Sequence, residues 1–186
     1  KPAGVFAEET ISIRAIKRVY AETAGIKIEE APEPRDIYDI ATRQVTGNKD
    51  AALTAYNALG EAIGDALANA MTLLDGIVVI GGGIAGAHPL FMPALIKEMN
   101  GKLETVSGET IERLEFKAYN IEEDIHLGAF IKGMQKEIDI PFTNKKITYD
   151  PLKRIGIGIT RLGTSNAVSI GAYSFALNEL DKMVDA

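Results

Sequence analysis

Residues 77–80, Ile77-Val78-Val79-Ile80, form a short apolar run that reads as a buried strand, and Gly81, Gly82 and Gly83 follow it without a break. Three glycines at the carboxyl end of a strand let the backbone turn tightly and leave bare N–H groups pointing outward. In α/β proteins this is the position at which phosphates and nucleotides are held.

The rest of the sequence supports an α/β fold. Ile13, Ile16, Val19/Tyr20 and Ala24 recur at helical spacing, and Gly25 stands where a left-handed terminator belongs. Ala31-Pro32-Glu33-Pro34 is a linker whose second proline suits a helix start. Ile37, Ile40/Ala41 and Gln44/Val45 give a short helix stopped by Gly47. Asp50 is placed to cap a long helix reaching about Leu74, with the stripe Ala52, Tyr56, Leu59, Ile63, Ala66/Leu67, Ala70 and Leu74. A second row, Gly60, Gly64 and Ala68, is small enough for another backbone to approach closely.

Beyond the glycines, Pro89 opens a helix to about Asn100, which Gly101 ends. Residues 114–118 alternate like a strand, 121 to about 138 carry a helical pattern, and 141–152 read as a loop or hairpin. Residues 155–159 read as a second buried strand. Val168, Ala172, Phe175/Ala176, Leu180 and Met183/Val184 mark a final amphipathic helix. Strands alternating with helices place the chain in the α/β class.

With 186 residues, 46% of them hydrophobic, the chain can bury one sizeable core, and residues 1–186 are expected to form a single domain. A net charge of −6 argues against a grip on nucleic acid. The longest apolar run, residues 76–87, falls well short of the ~20 residues of a bilayer span. No opening segment reads as an export signal, and the absence of cysteine excludes disulfides, so a cytoplasmic location is expected. Lys1 rather than Met opens the sequence, which reads as a piece of something longer.

The glycine run admits three readings. Gly81-Gly82-Gly83-Ile84-Ala85-Gly86 satisfies the G-x-G-x-x-G pattern of an NAD-binding Rossmann domain, which requires a helix beginning at about Gly83 and an acidic residue, here Glu104, at the tip of the next strand. His88-Pro89 would delay that helix. In a second reading the glycines serve only to close a tight turn. In the third reading, the order of the long alanine-rich helix containing Ala66-Leu67-Ala68-Asn69-Ala70, the Asp75 turn, the 77–80 strand and Gly81-Gly82-Gly83-Ile84 resembles the carboxyl-terminal lobe of the ROK family of bacterial sugar kinases and sugar-responsive repressors. Arg161-Leu162-Gly163 followed by Ile170-Gly171-Ala172 extends the resemblance, which covers roughly residues 5–107 and 153–182.

That resemblance implies an actin-like, ribonuclease-H-like ATPase lobe with a mixed sheet flanked by helices. It implies that Gly81, Gly82, Gly83 and Ile84 bind the adenosine of ATP, used with Mg²⁺ by the whole protein. ROK proteins commonly carry C-x-C-G-x-x-G-C-x-E before the helix matched by residues 13–24; the final glutamate, a sugar contact, falls on Glu8, or on Glu9 after a slip of one. Lys1 and Phe6 stand where cysteines would be, so no zinc is expected. The general-base aspartate and the phosphate loops lie earlier in such chains, so this piece holds no catalytic residue and is expected to be inactive alone. Its expected partners are a sugar, its own missing amino-terminal lobe and further copies of itself. A sugar-sensing repressor lobe is the alternative within the family. Residues of about 112–152 look like an insertion.

The remaining polar candidates have structural readings. His88 suits a loop or cap, and His126 lacks a second histidine at ligand spacing. Lys145-Lys146 suits a loop tip. Glu122-Glu123-Asp124 suits a helix start, and Thr164-Ser165-Asn166 suits a cap for the last helix.

Overall fold

The computed structural model describes residues 6–184, the side chains of Thr164 and Val184 aside. The expectations for Lys1 and for a cap by the Thr164 side chain therefore fall outside the described residues.

Helix packing dominates the first half. The Ser12 hydroxyl accepts the Ala15 N–H at the start of α1 (Ile13–Ala24), and Gly25 ends it in the left-handed conformation. Pro34 opens α2 (Pro34–Ala41), with Ile37 and Ile40 buried. This helix stops before the Gln44/Val45 pair of the sequence pattern. The Thr42 hydroxyl bonds back to the Tyr38 and Asp39 carbonyls, Arg43 turns to φ 64°, and Val45 is left exposed, so Gly47 is not the terminator.

The long helix is α3 (Lys49–Met71), and its cap is Asn48 rather than Asp50: Asn48 Oδ1 accepts the Ala51 N–H at 3.0 Å. Its most deeply buried face joins Ala52, Tyr56 and Leu59 to Gly60, Gly64 and Ala68, while Leu74 lies beyond the helix and is exposed. Burial pushes the Tyr56 phenol up to about 12, with Tyr38 and Asp39 adding to the shift, and its hydroxyl donates to the Pro34 carbonyl at 2.8 Å.

The small-residue row lies against α4 (His88–Met99), where Phe91, Met92, Leu95 and Met99 are buried. A Cβ on Gly60 would stand 2.2 Å from the Phe91 carbonyl oxygen, and one on Gly64 2.7 Å from that of Leu95. The close approach expected from the sequence is thus between α3 and α4.

Three parallel strands form the central sheet in the order β1 (Val78–Ile80), β7 (Arg154–Ile159), β4 (Lys117–Asn120). β7 lies in the middle, with residues 155–158 buried. β1 is an edge strand with Val79 63% exposed, which corrects the expectation of a fully buried strand. β4 begins three residues later than the predicted start at residue 114 and runs two residues past the predicted end at 118. Asn100 decides this register, giving its Nδ2–H to the Ala118 carbonyl (2.9 Å) and accepting the Ala118 N–H (2.8 Å). That clip closes the outer edge of β4 as a further strand would.

Two ribbons complete the chain. β2 (Lys102–Glu104) pairs antiparallel with β3 (Thr110–Glu112), and Arg113 beyond it bonds Asp65 of α3 and Glu98 of α4. α5 (Asp124–Lys132) is followed by β5 (Lys136–Asp139), paired with β6 (Lys146–Tyr149). The predicted helix over 121–138 is therefore only nine residues long. Asp150 draws the chain back: it accepts the Met134 and Leu152 N–H groups and the Arg154 guanidinium, the last at 2.5 Å, and these bonds hold its carboxyl below the usual range.

The last helix, α6 (Thr164–Val184), forms where expected, but it is neither covered nor the one-faced amphipathic helix of the sequence pattern. Val168, Phe175 and Met183 stand exposed on one side and Ile170, Tyr173, Leu177 and Leu180 on the other.

Candidate functional site

Because β1, β7 and β4 run parallel, their carboxyl ends emerge along one edge of the sheet. This is the edge at which open α/β sheets bind ligands. It carries residues 81–83 after β1, 160–163 after β7 and 121–123 after β4.

At β1 the Thr160 N–H donates to the Ile80 carbonyl at 3.0 Å, so β7 accompanies the chain up to the glycines. Gly82 adopts φ 101°, which side-chain-bearing residues rarely adopt. A short turn, Ala85–Ala87, then leads into α4, with the Ala87 N–H on the Ile84 carbonyl at 2.9 Å. At Gly83 neither the backbone conformation nor any neighbour demands glycine: a Cβ there would meet nothing within 4 Å. Turn closure accounts for Gly82, whereas the bareness of Gly83 suits a ligand lying close against the backbone.

Beside the turn is a hollow of about 250 Å³ whose other walls include Ile11, Leu59, Ile63, Ile80 and Phe91. Exposed N–H groups beside an apolar wall make a floor suited to a flat, partly apolar ring. Ile84 forms part of the same wall.

β4 contributes Glu122. Its Oε1 accepts the Ile159 N–H at 2.8 Å and its Oε2 the Arg161 guanidinium at 2.8 Å, with only 10% of its side chain exposed. The sequence reading of Glu122 as a helix-start charge is corrected. α5 begins at Asp124, and Glu122 turns inward to the sheet. Beside it, buried Asn120 donates to Glu123 Oε1 at 2.7 Å and accepts the Glu122 N–H at 3.2 Å. An acidic residue following a strand by two was the available signal. It was missed because the acidic triplet suits a helix terminus equally well.

Glu8 and Glu9 lie in a single turn, Ala7–Glu9, before α1. Both are exposed, and both face Arg14, Glu9 at 3.2 Å and Glu8 at 3.8 Å. Neither lines the hollow beside the glycines, although Ile11, shortly after them, does. Phe6 is exposed. His88 is half-buried as the first residue of α4, and His126 lies 3.5 Å from Glu123. Lys146 lies in β6 against Glu137. Among the described residues no group of three or more His, Cys, Asp or Glu side chains suits a metal ion, and no helix is long and apolar enough to cross a membrane.

The Rossmann reading fails on this geometry. The helix after the glycines begins at His88, and Glu104 lies in a separate two-stranded ribbon rather than at the tip of a sheet strand. The ROK family model, by contrast, matches residues 5–131. The chain belongs to the ROK family.

Solved structures agree. A glucokinase from Parabacteroides distasonis is 42% identical with a TM-score of 0.81, the match covering 92% of this chain and 46% of that one. A protein from Cytophaga hutchinsonii, provisionally named a sugar kinase, is 17% identical with a TM-score of 0.50, over 89% and 42% of the two chains; it bears on the fold alone. No curated protein matches the chain. The architecture is that of an actin-like ATPase, and this ROK chain spans a little under half the length of the structures it matches.

Proposed function

We propose that this chain is the carboxyl-terminal lobe of a two-lobed ROK sugar kinase, which moves the γ-phosphoryl of ATP onto a hydroxyl of a hexose or amino sugar. The observation that carries this reading is the glycine turn at the carboxyl end of β1, bare at Gly83 and open beside an apolar hollow. Its occurrence in a chain that overlies a glucokinase along most of its length adds support. Gly81, Gly82, Gly83 and Ile84 form the adenosine floor. Glu8 serves as the sugar contact; Glu9, nearer to Arg14, is the more committed of the two carboxylates. A carboxylate suits that role because its two oxygens accept directed bonds from vicinal hydroxyls.

In such a transfer the sugar oxygen bonds to the γ-phosphorus as the bond to the β-bridging oxygen breaks. ADP leaves, and the hydroxyl proton passes to a base. That base and the phosphate loops belong to the preceding lobe, and Mg²⁺, when bound, neutralises charge on the phosphates. No residue of this chain is assigned to the ion. Catalysis of this kind is mostly positioning, so one lobe alone does not suffice.

Two uncovered surfaces support a second lobe. α6 is apolar on both sides, the pattern of a helix enclosed by other elements. β1 has an open edge flanked by exposed Ile77 and Val79. Residues 1–186 then form one lobe, and 112–152 is an insertion that adds β4 to the sheet. A cytoplasmic homo-oligomer completes the proposal. The test is ADP release by the full-length protein over a panel of hexoses and N-acetyl sugars. Sugar-dependent turnover by that protein, and none by the 186-residue chain, is expected; ATP hydrolysis indifferent to every sugar would sink the proposal.

A further inference from the structure

We infer that Glu122 is a positioning residue of the nucleotide-facing edge, holding the exit of β7 and the Arg161 guanidinium at the carboxyl end of the sheet so that Arg161 contacts bound ATP; this rests on the kinase reading above.

The argument begins with what ends the sheet. β7 pairs with β1 up to Ile159, and the last bond on that side runs from the Thr160 N–H to the Ile80 carbonyl. On the other side the pairing with β4 ends at Asn120 and Ile157, followed by the Ile121 N–H on the Ile157 carbonyl. The Ile159 N–H therefore lies past the end of that ladder, and Glu122 Oε1 takes it in place of a strand carbonyl. A single carboxylate thus extends the central strand to the level of the glycines.

The second oxygen bears on chemistry. A largely buried carboxylate needs a compensating charge, and Arg161 supplies it while remaining 83% exposed. Ion pairs between exposed side chains contribute little, but here one partner is fixed by a backbone bond and the other stands free on the solvent side. The pair therefore serves to orient the guanidinium. Thr160 is bonded to the residue before Gly81 and Arg161 follows it, so the backbone that carries the cation adjoins the start of the glycine turn at the carboxyl edge of the sheet. A planar guanidinium there suits both faces of a nucleotide: it stacks on a purine and bonds phosphate oxygens. No other residue on the three strand exits 81–83, 121–123 and 160–163 is cationic.

The experiment uses the full-length protein with Glu122→Gln, Glu122→Ala, Arg161→Met and the double variant Glu122→Gln/Arg161→Met. It measures KM for ATP, KM for sugar, kcat, and amide exchange over residues 159–163. Arg161→Met is expected to raise the ATP KM about tenfold, in the range of a lost charge-assisted bond. Glu122→Gln keeps an acceptor for the Ile159 N–H and is expected to preserve its protection while raising the ATP KM about threefold through loss of the charge. Glu122→Ala is expected to lose both. The sugar KM stays within about twofold throughout, and the double variant is no worse than Arg161→Met, as expected of residues acting as a unit.

An ATP KM unmoved in Glu122→Ala, or ATP and sugar KM rising together, or effects that multiply in the double variant, would overturn the inference while leaving the kinase reading intact. A wild-type protein that turns over no ATP with any sugar would instead remove the kinase reading, and the assignment of Arg161 with it.

Discussion

Replacing Gly60 with alanine tests the helix packing that underlies the whole lobe. The added methyl would lie 2.2 Å from the Phe91 carbonyl oxygen, 2.9 Å from Ala94 Cβ and 3.1 Å from the Leu95 nitrogen. Ordinary contact begins near 3.4 Å, so α4 must withdraw by about 1.2 Å at Phe91, the difference between 3.4 and 2.2. Two of those three atoms belong to the backbone, which cannot rotate aside as a side chain can. Overpacking of this kind costs about 1–3 kcal/mol, and a clash with backbone belongs at the upper end. Against it, alanine favours a helix interior over glycine by roughly 1 kcal/mol. The net expectation is a loss of about 2 kcal/mol, or a Tm lower by roughly 4–8 °C for a unit of this size.

Gly128 in α5 supplies the control, since a Cβ there meets nothing within 4 Å. Gly128→Ala should raise Tm by about 2–3 °C, because only the helix preference changes. Calorimetric melts of the two variants of the full-length protein read the contrast directly. A Gly60→Ala protein that melts at or above the wild-type temperature would refute the close helix approach.

Other expectations concern the clips that shape the sheet and its ribbon. Asn100→Ala should destabilise by about 2–4 kcal/mol, because it leaves the Ala118 N–H and carbonyl without partners at a buried strand edge; unchanged protection of the Ala118 amide would contradict this. Bonds to Arg154 and to the Leu152 and Met134 amides lower the Asp150 carboxyl, so its contribution is complete above its unfolded value near 4 and is lost as pH falls through the lower folded value. Amide protection at Met134 and Leu152 should therefore fall only below about pH 4, and Asp150→Asn should abolish that acid transition. An identical acid midpoint in the variant would assign the transition to another group.

The parts of the fold legible in the sequence were those fixed by local periodicity. α3, the small-residue row and the left-handed stop at Gly25 follow from spacing and side-chain size alone. The start of β4 did not, because Asn100 and the register with β7 set it, and both contacts are remote in sequence. The split of residues 121–138 into α5 and β5 depends likewise on Asp150, whose bond from the Met134 N–H reaches back across the ribbon. At the site, the glycine turn was visible as composition. Glu122 was hidden because acidic residues before a helix ordinarily serve the helix dipole. Exposure of Val79 was also unreadable, since an apolar strand does not reveal which of its faces lacks a cover.

The most direct test of the adenosine floor is calorimetric titration of ATP into the full-length protein with Gly83→Val, a residue with no left-handed backbone and no neighbour within 4 Å, whose side chain would stand on the bare turn. ATP binding should weaken by at least about tenfold, since the added side chain excludes the ring from the floor while the turn keeps its conformation. The melting temperature and sugar affinity should change little. ATP affinity equal to that of the wild type would mean that the nucleotide lies elsewhere.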